Sequence, residues 1–223
     1  MKVISLVSGG LDSILATDVL LSQGHEVLML FAALNQNPMV QERDAVGYFY
    51  SFFSLRYPDQ VSFLEQKFDL GGKKKVESTW GRAMMLIGSA LTYDYCQTSM
   101  YYDAIALGSH KGDVGLDVNP DRMEAFKKVV EISTKGTVQL LLPIEEMTQE
   151  VIGWEFKNRN LPLDKTYNCY WNIPCGYKSP RDTYRCQGCR RKAIAMRAAG
   201  YDEVECEMPN SRTRRTKCQK DGS

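Results

Sequence analysis

The stretch Val3-Ile4-Ser5-Leu6-Val7-Ser8-Gly9-Gly10-Leu11-Asp12-Ser13 organises the rest of the chain. An apolar run ends at Val7 and helical apolar spacing resumes at Ile14, which predicts a buried strand, a short loop and a helix N-terminus. The two glycines let the loop turn sharply with uncovered backbone N–H groups, and the helix dipole adds positive potential. This loop is therefore a candidate phosphate site, with the hydroxyls of Ser8 and Ser13 as further donors.

Asp12 is the unexpected member of the loop, because a bare carboxylate repels phosphate. Its presence is explained if it holds a magnesium ion or caps the helix. The alternative for the whole stretch is a tight strand-to-helix turn that binds no ligand, since short motifs also occur by chance.

The composition describes an ordinary globular protein of 223 residues, with 43% hydrophobic residues, 25% charged residues and a formal net charge of +1. That length fits one domain with a small appendage. The near-zero charge gives no electrostatic argument for nucleic acid or membrane as a partner. We see no secretory signal and no apolar run of membrane-spanning length, so we expect a cytoplasmic protein.

Strand and helix patterns alternate along the chain, which predicts an α/β fold with a doubly wound parallel five-stranded sheet. Ligands of such sheets bind at the carboxyl ends of the strands. The loops at 8–13, 32–38 and 108–119 should therefore face one crevice. We expect helices at about 11–23, 39–56, 80–98, 121–132, 147–159 and 190–199, and strands at about 3–7, 26–31, 61–68, 103–107 and 138–142.

Four of the seven cysteines are clustered with the spacing C-x5-C-x10-C-x2-C, namely Cys169, Cys175, Cys186 and Cys189. Four thiolates with no open position are typical of a structural zinc site, and the turn-forming residues between them suit a stapled loop. The alternatives are unligated surface thiols or a redox CxxC pair. A redox pair would not need the first two cysteines.

The string SGGLDS resembles the pyrophosphate loop of the PP-loop ATPases, whose fold is that of the adenine nucleotide α-hydrolases. Together with the cysteine cluster it resembles the 7-cyano-7-deazaguanine synthase family, the nitrile-forming enzymes of the queuosine pathway. The resemblance covers most of residues 2–200. Its other motifs are Gly81-Arg82, Gly108, Pro120-Asp121 with Phe126, Thr134-Lys135-Gly136, Leu142-Pro143-Ile144, Thr166-Tyr167-Asn168-Cys169-Tyr170 and Cys186 to Cys189.

The chain also departs from that family's pattern. The family's tyrosine-glycine-glutamine segment is here Ala33 to Asn37, where only Gln36 corresponds, and its asparagine after Gly-Arg is Ala83. Thr183 stands where the second of four zinc cysteines is expected, so Cys175 would have to take its place.

The resemblance implies two ATP-dependent steps on 7-carboxy-7-deazaguanine. The carboxylate is adenylated with release of pyrophosphate, ammonia converts it to the amide, and a second ATP activates the amide oxygen so that the nitrile forms. The implied cofactors are ATP, Mg²⁺ and Zn²⁺, and the implied assembly is a homodimer. We expect a PP-loop domain at 1–160, a helical subdomain with a four-cysteine zinc site at 161–205 and a basic tail at 206–223.

The resemblance also implies the site residues. Magnesium would be held by Asp12, with Asp113 or Asp117 as further candidates. Ser8, Asp12, Ser13 and Arg82 would act in catalysis, and Arg82, Asp121 and Phe126 would bind the substrate. The nucleotide would lie against Val7, Ser8, Gly9, Gly10, Leu11, Asp12, Ser13 and Gly108.

Other functions stay open at this point. A PP-loop ligase could stop at the amide or act on another carboxyl or nucleobase substrate. A tRNA thiolase or lysidine-type enzyme is disfavoured, because the clustered cysteines look committed to metal. A zinc-knuckle nucleic-acid-binding protein would use the basic run Arg212 to Lys217. The near-neutral net charge of the chain argues against this alternative. We expect His110 to be a solvated loop residue rather than a catalytic base.

Overall fold

A computed structural model describes residues 1–34, 39–68, 81–97, 101–112, 119–170 and 187–201. Its sheet has five parallel strands in the order β3-β2-β1-β4-β5, so β1 lies at the centre. This confirms the predicted parallel five-stranded α/β sheet. The strands are β1 (Lys2–Val7), β2 (Glu26–Ala33), β3 (Val61–Lys67), β4 (Ala104–Leu107) and β5 (Gln139–Leu141).

Six α-helices accompany these strands in the described part of the chain. Two of their N-termini have side-chain caps: Asn119 accepts a hydrogen bond from the backbone of Arg122 (2.9 Å), with Pro120 in the first helical turn, and Thr148 accepts one from the backbone of Val151 (3.4 Å). The helices are α1 (Leu11–Ser22), α2 (Met39–Arg56), α3 (Arg82–Gln97), α4 (Pro120–Ser133), α5 (Gln149–Asn158) and α6 (Gln187–Ala198), with a short 3₁₀ turn at Leu163–Lys165.

The helices pack on both faces of the sheet, because β1 and β2 are apolar on both sides. On one face, Val3, Met29 and Phe31 belong to a buried cluster that receives side chains of α1, α2, α5 and α6. On the other face, Ile4 and Leu30 meet α3 and α4. Continuous apolar strands of this kind are expected where both faces are covered.

A buried charge joins three helices on the first face. The carboxylate of Asp18, in α1, is fully buried and pairs with the guanidinium of Arg159 after α5 (3.1 Å). It also accepts a hydrogen bond from the hydroxyl of Tyr57 (2.9 Å), and the guanidinium of Arg56 lies 3.8 Å away. Each buried charge is thereby paired, as burial requires.

Two further observations bear on the sequence predictions. The last helix begins at Gln187 rather than near 190, so Cys189 lies in a helical first turn. Within the described residues, no helix is both long and apolar enough to cross a membrane.

Candidate active site

The loop Ser8–Gly10 joins the carboxyl end of β1 to α1, as the opening stretch predicts. Gly9 has a φ of 76°, which favours glycine. A Cβ atom there would lie 2.8 Å from the Cβ of Ala45 and 2.9 Å from the carbonyl oxygen of Glu42. A side chain at this position would therefore collide with the first turns of α2.

The hydroxyl of Ser13 hydrogen-bonds to both ends of the loop. The Ser8 backbone N–H donates to the hydroxyl oxygen of Ser13 (3.2 Å), and the Ser13 hydroxyl donates to the carbonyl of Gly10 (3.1 Å). Ser8 itself is exposed at the mouth of the loop. In this arrangement Ser13 fixes the loop's shape, and Ser8 is the hydroxyl that is open to a ligand.

The end of β4 forms the second wall of the site at Gly108. A Cβ atom on Gly108 would lie 2.6 Å from the backbone nitrogen of Ser13 and 2.6 Å from the carbonyl carbon of Asp12. The backbone of β4 can approach the first turn of α1 this closely only because residue 108 lacks a side chain. The resemblance had placed this glycine on the nucleotide side, and it lines the same cleft.

The segment after the 3₁₀ turn forms the third wall. The backbone N–H of Tyr167 donates to the carbonyl of Gly9 (2.8 Å). Tyr167, Asn168 and Tyr170 line the cleft, together with Arg191 from α6. The sequence had linked the first three only to a family motif, and no local signal had singled out the arginine.

These walls enclose one cleft at the carboxyl ends of β1, β2 and β4. Arg82 at the start of α3, a predicted catalytic residue, also lines this cleft. Of the residues predicted for the nucleotide, Gly9 and Leu11, which are both buried, do not line it. The predicted residues that do line it are Val7, Ser8, Gly10, Asp12, Ser13, Arg82 and Gly108; apolar lining comes from Leu6, Leu30, Phe31, Ala32, Leu34, Leu86 and Leu107.

Glu42, in the first turn of α2, also lines the cleft, and the sequence had not marked it. The residue as a whole is half-buried, and its carboxyl group is largely shielded from water. This burial raises the pKa of Glu42 to about 7, against the nearby guanidinium of Arg82, which lowers it. Burial disfavours a charged carboxylate, whereas an opposite charge favours it.

His110 is not the solvated loop residue that the sequence suggested. Its side chain is buried, and its Nε2 atom lies 3.8 Å from a carboxylate oxygen of Asp12. Its Nδ1 atom accepts a hydrogen bond from the backbone of Gly112 (3.0 Å), which leaves Nε2 on the side of the ring that faces Asp12. The chain turns tightly around the ring after β4, which a local pattern does not reveal.

The two residues predicted to contact the base do not line the cleft as described. Asp121 is exposed in the first turn of α4. Phe126 is half-buried and packs against the cluster beneath α3 and α4. Asp113 and Asp117, the further magnesium candidates, lie outside the described residues.

Two of the four predicted zinc ligands are described. Cys169 and Cys189 are both buried and belong to one small cluster with Tyr167 and Ala45. Cys175 and Cys186 lie outside the described residues. Within the described residues alone, no group of three or more histidine, cysteine or acidic side chains is placed to hold a metal. The zinc site therefore stays a prediction.

The family model described as "Queuosine biosynthesis protein QueC" matches residues 2–205. The chain belongs to this family. Among curated QueC-like relatives, the 7-cyano-7-deazaguanine synthase of Desulfotalea psychrophila is 25% identical over 214 residues, covering 87% of this chain and 93% of the relative.

Further relatives of the QueC family carry the same name. The protein of Methanothermobacter thermautotrophicus is 22% identical, with 91% of this chain and 97% of the relative covered. That of Gloeothece citriformis is 25% identical, with 93% of this chain and 96% of the relative covered.

Among solved structures, the U34-tRNA thiolase NcsA from Methanococcus maripaludis with its [4Fe-4S] cluster matches at 15% identity and a TM-score of 0.46. This chain spans 63% of its length.

Proposed function

We propose that this protein converts 7-carboxy-7-deazaguanine and ammonia to 7-cyano-7-deazaguanine, with ATP cleaved to AMP and pyrophosphate. The observation that carries the proposal is the QueC family match over residues 2–205. The site supports it, because the SGGLDS loop opens into a cleft at the carboxyl ends of the parallel strands.

In the first step the substrate carboxylate attacks the α-phosphorus of ATP and pyrophosphate leaves. The leaving group needs hydrogen-bond donors and positive potential where its charge develops. The N-terminus of α1, the N–H of Gly10 and the hydroxyl of Ser8 offer these. Arg82 faces the same cleft with a guanidinium suited to a phosphate or a carboxylate.

In the following steps ammonia displaces AMP from the acyl adenylate to give the amide, and a second ATP activates the amide oxygen. Loss of AMP and a proton from that second adenylate leaves the nitrile. Asp12 lines the cleft with a carboxylate, the ligand type that magnesium prefers, and is our candidate to hold Mg²⁺. The ion would supply charge neutralisation for the phosphates.

We also propose that Cys169, Cys175, Cys186 and Cys189 hold a structural Zn²⁺. The support is the spacing of the four and the common cluster of the two described ones. The domain division at 160 and 205, a homodimer and a cytoplasmic location are further proposals, which rest on the family resemblance and on composition.

A second candidate is a ligase that stops at the amide. It is favoured by Ala83, which stands where the family has asparagine, and by the position of Asp121 and Phe126 outside the described cleft lining. A site with fewer polar contacts to the base and amide would lose the nitrile-forming step more readily than the first adenylation.

The experiment is product analysis by mass spectrometry after incubation with ATP, Mg²⁺, ammonium and 7-carboxy-7-deazaguanine. The proposal expects nitrile, AMP and pyrophosphate. Amide without nitrile would favour the second candidate, and ADP with phosphate would refute adenylation. Asp12→Asn should abolish turnover, whereas the matched change Asp44→Asn, at an exposed carboxylate of α2, should not.

A further inference from the structure

Glu42 is the second carboxyl group, after Asp12, among the described residues that line the cleft. It is placed there by the packing of α2 on the phosphate loop. Its backbone carbonyl oxygen lies 2.9 Å from the position that a Cβ of Gly9 would occupy. The proposed reaction steps give Asp12 a role and leave Glu42 without one.

The two carboxyl groups differ in what surrounds them. A carboxylate oxygen of Asp12 lies 3.8 Å from Nε2 of the buried His110. Glu42 is shielded from water, and this brings its pKa to about 7, with Arg82 opposing the shift. Two carboxyl groups in different environments are a common basis for different roles in one site. The remaining charged or titratable groups that line the described cleft are Arg82, Tyr167, Tyr170 and Arg191.

The reaction needs a proton acceptor that the nucleotide machinery does not provide. When ammonia attacks the acyl adenylate, a carbon–nitrogen bond forms, the carbon–oxygen bond to AMP breaks, and AMP leaves with that electron pair. The nitrogen, positively charged after attack, must lose one proton. A group whose pKa lies near the working pH is the most effective acceptor, since it is ionised in part and still basic.

We propose that Glu42 accepts this proton and is a catalytic residue of amide formation. The inference rests on the proposed function, and deepens it by separating the roles of the two carboxylates. Asp12 holds the magnesium ion that neutralises the phosphates, and Glu42 accepts the proton from the attacking ammonia. Arg82, whose charge favours ionised Glu42, keeps a fraction of the Glu42 carboxyl groups ready to accept a proton near neutral pH.

The test compares two half-reactions in Glu42→Gln and Glu42→Asp. Exchange of labelled pyrophosphate into ATP, dependent on 7-carboxy-7-deazaguanine, reports adenylation. Amide formation at varied ammonia reports the later step. We expect Glu42→Gln to lower kcat/KM for ammonia by about 100- to 10,000-fold, the usual contribution of a general base, with a much smaller change in exchange. Glu42→Asp should recover part of the loss, and the control Glu131→Gln, at an exposed site on α4, should match wild type.

The pH profile supplies a second measure, taken at a fixed concentration of free NH3. Wild-type kcat/KM for ammonia should fall as the pH drops below about 7, because Glu42 becomes protonated. The Glu42→Gln variant should lack this dependence. Glutamine has nearly the same shape and removes a buried charge, so the variant should fold, which thermal denaturation checks.

Three results would overturn the inference. Equal losses in exchange and in amide formation would assign Glu42 to adenylation. A raised KM for the deazaguanine with an unchanged rate from ammonia would assign it to base recognition. An unchanged kcat/KM for ammonia would give it no role. A wild-type protein that exchanges pyrophosphate but makes no amide would instead refute the proposed function, and this inference with it.

Discussion

Replacing Gly108 with alanine tests the packing that holds the loop Ser8–Gly10 in place. A Cβ atom at this position would lie 2.6 Å from the carbonyl carbon of Asp12, 2.6 Å from the nitrogen of Ser13 and 2.7 Å from the carbonyl oxygen of Asp12. Non-bonded carbon contacts are optimal at about 3.5–4.0 Å, so the strand end and the helix start must separate by about 1 Å. Because the obstacle is backbone on both sides, no side-chain rotation relieves it.

The cost follows from this overlap. Overpacking of a filled interior destabilises by about 1–3 kcal/mol, and 1 kcal/mol corresponds to about 2–4 °C in Tm for a protein of this size. A displacement of about 1 Å at a reacting centre costs about 100-fold in rate. We therefore expect Gly108→Ala to lower Tm by about 2–12 °C and substrate-dependent pyrophosphate exchange by about 100-fold.

The matched control is Gly47→Ala in the middle of α2. A Cβ atom on Gly47 meets nothing within 4 Å, and alanine is the better helix former by about 1 kcal/mol. This variant should gain stability and keep wild-type exchange. Thermal denaturation measures the Tm of both variants, and the pyrophosphate exchange assay measures their activity. If Gly108→Ala kept wild-type Tm and exchange while folding normally, the close contact between β4 and α1 would be wrong.

Three further predictions concern other parts of the molecule. Asp18→Asn removes a buried carboxylate, while Arg159 keeps its ion pair with Glu155 (2.7 Å), so it should cost about 1–3 kcal/mol in urea denaturation, whereas the exposed Asp44→Asn should change little. Glu42 is protonated below about pH 7 in the folded chain but only below about 4.5 when unfolded, so its own contribution to stability falls between these values as pH rises, and the free energy of unfolding of wild type relative to Glu42→Gln should fall over that range. Freshly purified protein should contain about one zinc per chain by elemental analysis, and Cys189→Ser should lose it; a metal-free wild type would contradict the site.

The fold was predictable because its signals are local. The apolar run of β1, the two glycines and the apolar spacing of α1 lie within about twenty residues, and they indicate strand, loop and helix without help from the rest of the chain. Alternation of such units then limits the topology to a parallel sheet with helices on both faces. The central position of β1 brings the loop to the switch point where ligands bind.

The site was less predictable because its residues meet only after folding. In the sequence Glu42 is simply an acidic residue near a helix start, and no motif includes it. Only the packing of α2 on Gly9 brings it to the cleft. His110 is buried because the chain wraps around its ring, and Arg191 reaches the cleft because α6 packs beside it. Asp121 and Phe126 were proposed from a motif, and that motif does not determine how far α4 lies from the loop.

The segment Tyr167–Cys169 contacts the loop Ser8–Gly10, which gives a zinc site at Cys169 a structural link to the cleft. Tyr167 hydrogen-bonds to Gly9, and Cys169 follows two residues later. The start of α6 packs against the same segment. The backbone of Gly188 lies so close to the carbonyl of Asn168 that residue 188 can have no side chain. The ammonium of Lys192 donates to the carbonyl of Thr166 (2.6 Å). A zinc ion joining Cys169 to Cys189 would fix these two segments of the chain together, and through Tyr167 it would hold one wall of the cleft. A structural metal would in this way stabilise the catalytic geometry without touching substrate.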